Sequence, residues 1–146
     1  MNWKEEATQK LRSYEMMRQA MENLPREIAR LETDSKELHG CSMETPIGTG
    51  DRRSRETRLL NNIVRRQELT WSLERVQRWM QNVSSALAIL EPVERELLRR
   101  MYIAPGSGAV DCLCEELKME KSSVYRHRDA ALRKFTIAMY GAIESI

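Results

Sequence analysis

Aromatic residues are scarce in this chain of 146 residues: they make up 5% of it, and there is a single phenylalanine. No stretch alternates apolar and polar residues over strand length. Together these absences exclude a sandwich or barrel. Cysteine is also sparse, and Cys41, Cys112 and Cys114 are an odd number in a chain whose start, MNWKEEATQK, lacks the positive-then-apolar layout of a signal peptide. A disulfide framework is therefore not expected, and all three are read as thiols. Long apolar runs are missing too, none nearing the roughly 18 residues a membrane helix needs. The expectation is a soluble, cytoplasmic chain with no membrane partner.

Catalytic signatures are absent as well. GTGDRR, residues 48–53, has neither the preceding strand nor the lysine of a phosphate-binding loop, and no Ser/His/Asp order or pair of buried carboxylates is discernible. The thiols and imidazoles of His39, Cys41, Cys112, Cys114 and His127 lack zinc-ligand spacing, because a CxC on a helix points its thiols about 200° apart. No enzyme, metal or cofactor is expected.

What the sequence does hold is charge, 32% of residues, beside 41% apolar ones, a mix typical of long amphipathic helices. The net charge of +2 conceals an uneven distribution. Residues 51–79 carry eight arginines against Asp51, Glu56, Glu68 and Glu74. In the last part of the chain Lys121, Arg126, Arg128, Arg133 and Lys134 are opposed on their own segment only by Asp129. Positive charge is thus gathered in two places.

Apolar residues at Trp3, Ala7, Tyr14, Met17, Met21, Leu24, Ile28, Leu31 and Leu38 step by threes and fours, which predicts a long helix. Pro25 falls inside it, and a missing backbone donor there implies a kink. Gly40, Pro46, Gly48 and Gly50 then mark a loop over 40–53. A second long helix is expected from about Ser54 to Leu90, with its seam through Leu69, Leu73, Val76, Met80, Val83, Leu87 and Leu90. Two such helices joined by a glycine-rich loop form an antiparallel hairpin over residues 1–90. Their seams outrun what one hairpin covers, so association between chains, most simply a dimer, is expected. Trp71 and Trp79 lie off or beside the seam, which puts at least one of them in an interface.

Residues 91–146 change character. Val93, Leu97, Leu98, Met101 and Tyr102 share one face of a short helix, APGSG at 104–108 breaks it, and Val110, Leu113, Cys114 and Leu117 define a second helix over Ala109 to Leu117. After a KMEK turn, a third helix runs from about Ser122 to Ile143 and turns Val124, Arg128, Ala131, Leu132, Phe135, Ala138 and Met139 inward. Opposite them stand Ser122, Arg126, Asp129 and Arg133, flanked by Ser123, Tyr125 and Lys134. Arginine can donate twice to guanine, serine can bond a base or phosphate, and aspartate can accept from cytosine. With Lys121 at its start, this face is the candidate DNA reader. The fold expected is all-α, a helical hairpin followed by a three-helix helix-turn-helix domain.

EPVERELLRRMYI followed by AVDCLCEELKMEKSSVYRHRDAALRKF resembles the promoter-reading C-terminal domain of bacterial sigma factors. It more closely resembles the RinA/ArpU-type phage transcriptional regulators, which carry such a domain behind a helical region. The resemblance covers residues 91–146 and rests chiefly on Ser123, Val124, Tyr125, Arg126, Ala131, Leu132 and Phe135. It implies DNA contact by Ser122, Ser123, Tyr125, Arg126 and Arg133, and a sequence-specific regulator, a late-gene activator acting with RNA polymerase. Two positions depart from the family: Glu120 stands where a capping serine is usual, and Lys118 where glycine is frequent. A different class, the recognition subunit of a phage DNA-packaging (small terminase-like) machine, uses similar parts and is the alternative. Arg52, Arg53, Arg55 and Arg58 are a second candidate set, for phosphates.

Overall fold

A computed structural model describes residues 2–41 and 49–141, and every element among them is helical. The chain is all-α, as its periodicity implies. In order come α1 (Trp3–Arg12), α2 (Tyr14–Cys41), α3 (Thr49–Ile89), α4 (Pro92–Leu98), a π-helical segment (Arg99–Ile103), α5 (Ala109–Leu117) and α6 (Lys121–Tyr140). None of these helices is long and apolar enough to cross a membrane. The helices extend into the loop expected over 40–53, since α2 includes Cys41 and α3 begins at Thr49; the rest of that loop, 42–48, lies outside the described residues.

The first interruption falls at Ser13, not at Pro25, which stays inside α2. Asn2 caps α1 by accepting from the Lys4 amide at 3.1 Å, and Ser13 ends it with its own amide donating to Gln9 and Leu11 carbonyls. Burial explains the break: Ala7 and Leu11 on α1 are completely enclosed, packed with residues of α6 and the π-helical segment. A short helix free to turn at Ser13 gains that contact, whereas proline costs α2 one hydrogen bond and leaves its seam in phase.

The chain divides into two compact units. One joins residues 1–18 to 79–146, so the unit holding the three C-terminal helices also takes in α1 and the end of α3. A boundary at residue 90 leaves those elements outside. In this unit Phe135, Leu132 and Ala131 of α6 pack with Ala7, Leu11, Val83, Ala86, Leu90, Leu98 and Tyr102. A second cluster, Leu97, Leu113 and Val124, holds α5 against α4 and α6, with Cys114 and Met119 packed on its edge. The π-helical segment, closed by the Ala104 amide on the Arg99 carbonyl at 2.7 Å, places Tyr102 in the first cluster. Val93 is not on the inward face of α4 but exposed.

The described residues of the other unit, 19–78, are stretches of α2 and α3. Asn62 Nδ2 donates to the Leu31 carbonyl at 2.8 Å, and Asn62 Oδ1 accepts from Arg66 Nε at 2.8 Å. Asn62, Leu69 and Ser35 are buried there. Arg30 bonds to Glu27 and holds its carboxyl below the usual range against the opposing effect of desolvation, with smaller help from the charges of Arg30 and Arg65.

Candidate nucleic-acid interface

Between α5 and α6 the connection is Lys118, Met119 and Glu120. Lys118 sits in the left-handed region (φ 54°, ψ 45°), and its amide and that of Met119, the latter at 3.1 Å, both donate to the Cys114 carbonyl. That conformation is why glycine suits the position. Glu120 occupies the N-cap of α6 with extended backbone and makes no side-chain capping bond, where a serine hydroxyl could bond a free amide. Both departures from the sigma-like pattern therefore fall on positions with a definite structural task. At its far end α6 stops at Gly141, whose φ of 84° reverses the chain.

The inward face of α6 is Val124, Ala131, Leu132, Phe135 and Thr136, all buried. Lys121, Ser122, Arg126 and Arg133 are exposed, and Ser123 and Tyr125 are partly covered. Lys121, Arg126 and Arg133 form no ion pair with a described residue, so their donors face solvent. Lys121 and Tyr125 also line an open hollow of about 300 Å³ with Arg100, Gly108 and Asp111.

Two of the expected reader residues, Asp129 and Lys134, also form ion pairs within the protein, Lys134 while remaining exposed. Asp129 accepts from Arg128 Nη2 at 2.9 Å and meets Lys4 of α1 at 3.5 Å, rather than pairing with Arg126 or Arg133. Burial alone would raise its carboxyl, but the Arg128 bond and the charges of Arg128 and Lys4 outweigh it and hold it below the ordinary value. Lys134 Nζ donates at 3.0 Å to Glu94 Oε1 on α4, a carboxylate that is buried and also accepts from the Glu91 amide at 3.1 Å. The Glu94 bond raises the Lys134 pKa against a smaller opposing effect of burial. Arg128, placed inward by the helical wheel, is half-buried with its guanidinium 4.8 Å from the Tyr125 ring centre.

Sequence reasoning missed Lys4 and Glu94 as partners of this face. No local pattern points to either, because both lie on other helices. The Tyr125–Arg128 stack was within reach, since the two are three apart on one helix. Arg52, Arg53 and Arg58 are exposed on α3 and Arg55 is partly covered, none in an ion pair with a described residue. They belong to the unit of residues 19–78, and α6 to the other. Comparison of the chain with family models, curated proteins and solved structures finds no match.

Proposed function

We propose that the chain is a sequence-specific DNA-binding transcription regulator whose α6 enters the major groove. The observation that carries this reading is the face of α6 bearing Ser122, Arg126 and Arg133, exposed and, among the described residues, without ion-pair partners, on a helix fixed from behind by Phe135 and Val124. A three-residue turn after a short helix supports it, as the arrangement that presents a reading helix. In this role Arg126 and Arg133 donate to base edges, and Ser122, Ser123 and Lys121 engage phosphates at the start of the helix. Asp129 acts from within, holding Arg128 and Lys4, and Lys134 braces α6 on α4.

The sigma-like resemblance of residues 91–146 adds the regulatory role: activation at a phage promoter together with RNA polymerase. Selection from a random duplex pool by the full chain tests the proposal. A shared motif among the recovered duplexes, with affinity falling at a log–log slope of about −3 or steeper in salt, is the expected result. Recovery of no motif, or no retention of DNA at low salt, overturns it.

A further inference from the structure

Leu60, Ile63, Val64 and Trp71 of α3 are 61, 50, 46 and 56% exposed. At about 100° per residue they fall in one sector of the helix, and Gln67 completes their four-three-four step. On the opposite side of the same stretch lie Asn62 and Leu69, both buried, with Asn62 bonded to the Leu31 carbonyl of α2. This part of α3 therefore carries an exposed apolar stripe opposite the buried face that meets α2.

Single apolar residues on a surface are ordinary, but four in register over three turns are not. At their exposures the four present roughly 400 Å², as large as the biggest patch of an ordinary monomer. Asn61, Gln67 and Thr70 beside the stripe are neutral, Glu68 on its border is paired with Arg65 at 3.4 Å, and the remaining charges around it, Glu56, Arg66, Glu74 and Arg75, are two of each sign. These charges balance, so a strongly acidic or basic partner finds no excess of the opposite sign here. A second copy offers a neutral apolar stripe of equal length.

We propose that this stripe is a self-association surface, on which two copies of the chain pair Leu60, Ile63, Val64 and Trp71 across a two-fold axis. The stripes alone would withdraw about 800 Å² from water, about two-thirds of the ~1,200 Å² at which specific interfaces begin, which leaves about a third for the polar borders to supply. The seam residues Val83, Ala86 and Leu90 are not available for this purpose, being enclosed in the core with Phe135. The inference is independent of DNA binding, and so is its test.

Sedimentation equilibrium of the full chain, followed by dilution, measures it. At about 50 µM the expected mass is twice 17.1 kDa, and Val64→Lys and Trp71→Ala each weaken the association at least about tenfold. Both positions are exposed, and unchanged far-ultraviolet circular dichroism verifies that the variants fold. A monomer at about 100 µM overturns the proposal, as does an oligomer whose affinity neither substitution changes.

Discussion

Lys118 is the one non-glycine with positive φ among the described residues. Its β-carbon crowds the backbone there, a cost on the order of 1 kcal/mol, so Lys118→Gly should stabilise the chain by about 0.5–1 kcal/mol. Urea denaturation reads this as a raised midpoint with unchanged slope. Glu96 gives a pH signature. Bonds from Arg99 and then Arg100 outweigh slight burial and lower its carboxyl from 4.5 to about 2. A lowered value means the stabilisation is present above pH 4.5 and lost as pH falls toward 2. The group is exposed enough that the effect is at most about 1 kcal/mol, and Glu96→Gln should flatten the stability curve in that window alone. At this scale the inward residues Val124, Leu132 and Phe135 were legible from helical spacing. The engagement of Asp129 and Lys134 was not, because a wheel shows which side a residue faces and not what another helix brings to meet it.

Helices with strong punctuation were read closely: α5 spans Ala109–Leu117 as its spacing and the APGSG break imply, and α6 begins one residue before the expected Ser122. The break at Ser13 is not legible because serine among helix-compatible residues gives no stop signal, while Pro25 gives a loud one and yet stays inside α2. The consequence reaches Phe135. Its position suggests a face shared by three short helices, yet its cluster draws Ala7 and Leu11 from α1 and Val83 and Ala86 from α3. A fragment starting at Glu91 lacks all four, and thermal unfolding by circular dichroism should show no cooperative transition for it. In the full chain Leu11→Ala should cost about 2–5 kcal/mol and Phe135→Ala about 3–5 kcal/mol. A cooperative fragment would show that the three short helices are self-sufficient. The apolar stripe of Leu60, Ile63, Val64 and Trp71 went unread for a related reason, since a search for one seam on α3 follows the phase of Leu69, Leu73 and Val76. Only Trp71 stood out as misplaced.

For the molecule as a whole, the all-α class and the two concentrations of positive charge could be read from composition and periodicity. The unit boundaries could not, because they depend on which distant helices share a core. The central claim is that α6 reads bases through its exposed arginines, and the ratio of cognate to random-duplex affinity for the wild type and Arg126→Ala tests it most directly. Fluorescence anisotropy at one fixed salt concentration, on a duplex recovered by selection, supplies both affinities. Loss of a base contact should reduce the cognate affinity by about 1–3 kcal/mol while random-duplex binding falls much less, so the ratio contracts. Equal losses on both duplexes would assign Arg126 to phosphate contact, and an unchanged ratio with unchanged affinities would contradict the reading of α6 altogether.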